Sequence, residues 1–152
     1  MNEPATPAPR APPPYRPAPP AREGYTSTIV DPGSLQAFLD AAPVIAWMKN
    51  DGGDYVFQNA ACERYFGTDP NDWFGVGEEQ LHPNAEGHTA SEYDRAVTRS
   101  QQPLHTRETR TAADGSQAEF LVLRFPFIDA HGRHCVGGIA VNLSDSPESS
   151  PA

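Results

Sequence analysis

Lysine is nearly missing from this chain. Its 152 residues hold one, Lys49, and 11 Lys+Arg against 20 Asp+Glu leave a net charge of −9. The basic residues form no stripe, and a surface this acidic repels phosphate backbones, so nucleic acid is not expected among its partners. Two cysteines, Cys62 and Cys135, are too few for a disulfide scaffold. No apolar run approaches the roughly 20 residues of a membrane span. No apolar stretch follows a basic segment at the N-terminus, as a secretory leader requires. The expectation is a cytoplasmic protein with no membrane partner. Catalytic signatures are also missing: there is no G-x-S-x-G, H-E-x-x-H, P-loop or G-x-G-x-x-G, and Gly75-Val76-Gly77 is too short to cradle phosphate. No catalytic residue is assigned, and an enzyme is not expected.

Proline, by contrast, is concentrated. Nine of the seventeen prolines fall within residues 1–20. Proline has no amide donor and a fixed φ, so this stretch reads as a solvated, partly polyproline II tail. Pro9-Arg10-Ala11-Pro12 and Pro12-Pro13-Pro14-Tyr15 would suit SH3 or WW grooves, although any Pro/Ala-rich tract produces such matches. The organisation expected is a disordered tail over 1–30, one folded unit over 31–144 and a short disordered tail over 145–152.

Within the folded unit, Asp31-Pro32 opens a helix, with Asp as cap and Pro at the first position. Leu35, Phe38 and Leu39 share one face of it. Val44–Met48 and Tyr55–Gln58 read as a hairpin around Asp51-Gly52-Gly53. Asn59–Phe66 is helical and ends at Gly67. Residues 68–83 hold one or two single-turn helices, and 84–100 a longer helix with Ala90, Tyr93 and Val97 on one face. Three strands follow: Leu104–Thr111, Gln117–Ile128 and Arg133–Leu143, separated by Asp114-Gly115 and His131-Gly132. Helices and strands segregated in this way predict an α+β fold with helices on one face of an antiparallel sheet.

The ordered segments DAAPVIAWMKNDGGDYVFQNAACERYFG, TDPNDWFG, YDRAVTRSQQPL and TAADGSQAEFLVLRFPFIDAHGRHCVGGIAVNLS resemble a PAS domain over about 35–144. The resemblance implies a five-stranded antiparallel sheet in the order 2-1-5-4-3, with helices enclosing a pocket for a small molecule. It also implies a module that senses a signal and dimerises. Fold alone does not select the signal.

Against that frame the cofactors of the family fare poorly. The haem-bearing branch ligates iron through a histidine on the long helix. Here His88 lies nine residues from Val97, at about 100° each, and so on the opposite side of the axis. The position matching the ligand falls near Ala90, and His82 precedes the helix. The light-sensing branch carries a cysteine after the connecting glycine. The stretch Gly75–Leu81 has none, and neither Cys62 nor Cys135 matches. Haem and covalent flavin are therefore disfavoured, and no cofactor is assigned. His131-x-x-His134-Cys135 lacks the four ligands of a structural zinc site, and no metal is assigned. Glu78-Glu79, Asp69 and Asp72 read as solvated acidic surface. Gln58 and Arg124 are the polar residues seen within the core strands, and strand alternation accounts for them.

What remains is an apolar pocket. Its candidate lining is Trp47, Phe57, Phe66, Trp73, Leu81, Tyr93, Val97, Leu121, Leu123, Ile139 and Val141. A ligand concavity and a close-packed core are both consistent with these residues. The family's usual Asp-Ile-Thr at the end of the last strand reads Asn142-Leu143-Ser144 here. With no effector or coiled coil visible, output is expected in trans, through a homodimer or a partner signalling protein, with the Leu35/Phe38/Leu39 helix as docking element. The alternatives are a haem or flavin sensor and a small enzyme on the same α+β frame.

Overall fold

Asp31 starts the first element in the way its sequence suggests. In the computed structural model, which describes residues 31–144, its carboxylate accepts the Ser34 N–H at 2.7 Å and Pro32 takes the first helical position of α1 (Pro32–Ala41). The proline-rich leader and the short C-terminal tail inferred above lie outside the described residues. The order thereafter is β1 (Ile45–Lys49), β2 (Tyr55–Gln58), α2 (Ala60–Phe66), α3 (Pro70–Trp73), α4 (Glu78–Leu81), α5 (Ala85–Ser100), β3 (Leu104–Thr111), β4 (Gln117–Ile128) and β5 (His134–Asn142). All strand pairs are antiparallel and the sheet runs β2-β1-β5-β4-β3, as the α+β reading and the family resemblance imply.

Local chemistry fixes the connections. Asn59 is fully buried at the start of α2. Its Oδ1 accepts from Ala46 N–H and Cys62 N–H, while its Nδ2 donates to the carbonyls of Leu39 and Val44. One side chain therefore caps α2 and ties it to β1 and to the end of α1. Gly67 closes α2 at φ 66°, a left-handed conformation that glycine adopts without Cβ strain.

Antiparallel register sorts the side chains into two faces. Trp47 pairs with Gly138 and Gln58, Val122 with Ala140, Arg124 with Gly138, and Glu108 with Phe120. These residues point toward the helices. The next residue along each strand points outward. Gly138 has no room for a side chain, because a Cβ there would lie 2.1 Å from the Trp47 indole. Gly138→Ala is expected to cost about 1–3 kcal/mol through overpacking, measurable as a lower melting midpoint with the secondary structure unchanged. A core of Ile45, Trp47, Tyr55, Cys62, Trp73, Phe120, Val122 and Ala140 packs between sheet and helices.

Candidate functional site

Charged side chains share the interior with that apolar core. Lys49 terminates β1 beyond a register shift between Met48 and Lys49, which sets it opposite Tyr55 on the inner face. The side chain is 2% exposed. It contacts Glu78 Oε2 at 2.8 Å and Asp94 Oδ2 of α5. The other oxygen of Asp94 accepts from Arg124 Nε at 3.1 Å. Arg124, 1% exposed, grips Glu108 with two nitrogens at 2.5 and 3.1 Å. Glu108 lies 3.9 Å from Arg110, and Arg110 returns to Glu78 Oε1 at 3.3 Å. The circuit Glu78–Lys49–Asp94–Arg124–Glu108–Arg110 closes on itself. Three cations and three anions alternate, supplied by β1, β3, β4, α4 and α5. Glu86, at the start of α5, adds a rim contact to Arg110 Nε at 3.6 Å and accepts from Thr111 N–H and Oγ1.

Alternation is what makes the burial tolerable. Moving one ion out of water costs several kcal/mol even after relaxation, and only close partners with their hydrogen bonds filled offset it. Burial pushes the Glu78 carboxyl upward, but the Lys49 ammonium and the Arg110 guanidinium outweigh it and bring its pKa to about 2. Glu108 is likewise pushed up by burial and held below its ordinary value by Arg124. Burial and the nearby Glu78 charge raise the Tyr55 hydroxyl well above its normal range, so it remains a donor, and it donates to Glu78 Oε2. Aromatic rings surround the cations: Lys49 lies 4.6 Å from the Tyr55 ring centre, Arg110 5.1 Å from Phe66 and Arg124 5.2 Å from Tyr93.

The greasy, chemically idle hollow expected from the sequence is thus corrected. The central void is only about 20 Å³, bounded by apolar Ile45, Phe66, Phe120 and Val122 and by polar Lys49, Tyr55, Glu78, Arg110 and Arg124, while a wider cleft of about 500 Å³ lies open to solvent beside Lys49, Glu78 and Asp94. The void holds roughly one water, far below a ligand-sized pocket. Trp47 also lines it, and its Nε1 has no acceptor among the described residues. Glu78 is buried rather than solvated, whereas its neighbour Glu79 is exposed.

The eleven candidate lining residues divide. Trp47 and Phe66 border the central void. Trp73 and Val97 are buried in the packing, with Trp73 Nε1 3.3 Å from Glu63, and Leu81 packs beside the core. Tyr93 lies beside Arg124. Leu121 and Val141 are each 42% exposed on the outer face, where register also places Leu123, Ile139 and Phe57. β4 is apolar on both faces, so its alternation carries no inside-outside signal; the pairing of Val122 with Ala140 decides it.

The other sequence candidates are distributed as follows. His82 is half-buried against Phe66, and burial depresses its pKa. His88 is exposed between Glu79 and Glu92. Burial and the Glu78 charge push the Cys62 thiol up to about 12, which makes it a packed group rather than a nucleophile. Cys135 faces Asp129 and the Arg133 carbonyl, and burial raises its pKa too.

On the outer sheet face, Leu39 of α1 joins Ala46, Met48, Phe57, Phe125, Phe127 and Ile139 around an apolar groove of about 190 Å³. No α1 residue is buried; Phe38 is 70% and Leu35 50% exposed. No helix among the described residues is long and apolar enough to cross a membrane.

A family model described as PAS fold matches residues 39–145. No curated protein is a significant sequence match. Among solved structures, a ligand–DNA complex of Vibrio cholera VqmA superposes with a TM-score of 0.64 at 17% identity over 72% of this chain and 50% of that one. An RNA-binding light-oxygen-voltage receptor gives 0.63 at 20% identity over 86% and 37%. The PAS domain of Bordetella pertussis BvgS gives 0.60 at 16% over 75% and 87%. The chain thus spans half or less of the first two proteins. At these identities the likeness concerns the fold. It nonetheless corrects one expectation: the fold occurs within DNA- and RNA-binding receptors, so a low basic content does not remove nucleic acid from the partners of such a protein.

Proposed function

The chain belongs to the PAS-fold family, and from that membership we propose that it is a sensory module that responds to a small molecule and delivers its output in trans, by pairing with a second copy or a partner signalling protein. The observation that supports this reading is the unburied α1 with its exposed Phe38 and Leu35, beside an apolar groove on the sheet face opposite the other helices. Such a surface is costly to leave in water and is a usual mark of an interaction site. Vibrio cholera VqmA, known as a ligand–DNA complex and as a dimer in the absence of target DNA, is consistent with both halves of the reading.

The test is light scattering on the purified chain and on Phe38→Glu. The native chain is expected to run as a dimer, and the variant as a monomer with an unaltered circular dichroism spectrum. A native chain that stays monomeric at high concentration and binds no protein partner refutes the output by pairing. Native mass spectrometry of the same preparation reads any retained small molecule. An absorption spectrum separates this reading from the haem or flavin alternative, since both cofactors absorb visible light.

A further inference from the structure

Glu78 is held as a bound carboxylate would be. Three donors converge on it from three different strands: Lys49 Nζ of β1 at 2.8 Å, Arg110 Nη2 of β3 at 3.3 Å, and Tyr55 Oη of β2. These donors belong to the sheet. The acceptor does not. It sits at the first position of α4, a single turn of four residues that has Gly77 at its N-cap and no side-chain capping bond. The following residues, Glu79 and Gln80, face solvent. The void of about 20 Å³ touches all three donors and Glu78, and Trp47, nine-tenths buried, lines it with an indole N–H that has no acceptor among the described residues.

We propose that the Lys49–Tyr55–Arg110 cluster is a receptor site for the carboxylate of a small organic acid, and that Glu78 fills it as a tethered stand-in until such an acid displaces it. The proposal rests on the small-molecule reading above and names the ligand's class. Charge balance favours it. When an external monocarboxylate takes the place of Glu78, the ring still holds three cations against three anions, with Asp94 and Glu108 unmoved, so no unpaired charge is buried. Glu78 regains water, and α4 loses its main polar tie to the sheet. The free Trp47 N–H offers a donor to a second oxygen on the ligand. The central void of about 20 Å³ adds room for about one heavy atom beside the carboxylate, and an open cleft of about 500 Å³ borders Lys49, Glu78 and Asp94.

The experiment uses Glu78→Ala and Glu78→Gln in the full chain, titrated with sodium formate and, separately, with sodium chloride at equal ionic strength. Formate is expected to raise the melting midpoint of both variants saturably, with an apparent affinity at least tenfold above that for the native chain. Adding Lys49→Met to Glu78→Ala is expected to abolish the response. If either variant is unfolded in chloride, recovery of its far-ultraviolet spectrum in formate supports the site. Failure of formate to stabilise or refold both variants overturns it. Formate-insensitive variants beside a native chain that retains a small molecule in native mass spectrometry would sink the carboxylate site alone. Formate-sensitive variants beside a native chain that shifts with no small acid would keep the site and sink the sensing.

Discussion

Arg124→Met is expected to remove roughly 3–5 kcal/mol of stability, the cost of leaving buried charges without their partner. The guanidinium serves two carboxylates: Nε binds Asp94 at 3.1 Å, and the two terminal nitrogens bind Glu108. Methionine matches much of the volume, so the loss comes from charge rather than from a void. Both carboxylates then face a hollow that retains only Lys49 and Arg110. Arg124→Lys restores the charge but not the forked geometry, so an intermediate loss is expected. The measurement is the urea midpoint at constant slope. A loss below about 1 kcal/mol for the methionine variant, in the range of exposed ion pairs, would show that the ring is not held as described.

The second large effect is a loss of stability in acid. The folded carboxyl of Glu78 has its pKa lowered from 4.5 to about 2, against burial and by Lys49 and Arg110. A depressed folded pKa contributes stability that is complete above the unfolded value. That stability drains away as pH falls from about 4.5 toward about 2. The difference corresponds to something on the order of 3 kcal/mol. Glu108, lowered in the same direction, steepens the decline. Urea midpoints collected across this range should fall steeply for the native chain and more gently for Glu78→Gln, which starts from a lower plateau. Asp129 is also lowered to about 2 by the Arg133 and His131 amides, but it sits in the surface turn before β5, away from the hollow; Asp129→Asn is expected to leave the profile of the interior unchanged. Parallel curves for the native and Glu78→Gln chains would refute the assignment.

The fold could be read from the chain because its punctuation is local. Asp31-Pro32, Asn59 through Gly67 and Asp114-Gly115 each mark a boundary with residues whose preferences act within one turn. The bounds of β3 and β4 follow from them. The hollow was largely hidden because its chemistry is not local. The ion pairs of the ring join residues 16 to 45 positions apart, apart from the short Glu108–Arg110 link. Lys49 stands beside Asn50-Asp51 and looks like the start of a turn. Glu78 is indistinguishable from Glu79 until the chain is folded. Glu108 and Arg110 sit in a polar strand whose alternation shows that one face is covered but not by what. Arg124, between Leu123 and Phe125, stands out in the sequence together with Gln58, and strand alternation offers both an ordinary explanation. An arginine and a lone lysine each embedded beside apolar strand residues, in a chain rich in carboxylates, are the signal that would have pointed to a salted interior.

The place of Lys49 carries a consequence for chemical labelling. It is the chain's sole lysine and lies at the centre of the hollow with 2% exposure. Acylating reagents that seek primary amines therefore find no exposed lysine side chain on the closed molecule. Each excursion that parts the helices from the sheet uncovers a single reactive nitrogen. The protein thus carries its own reporter of opening, and the pace at which that nitrogen is capped counts how often the interior breathes.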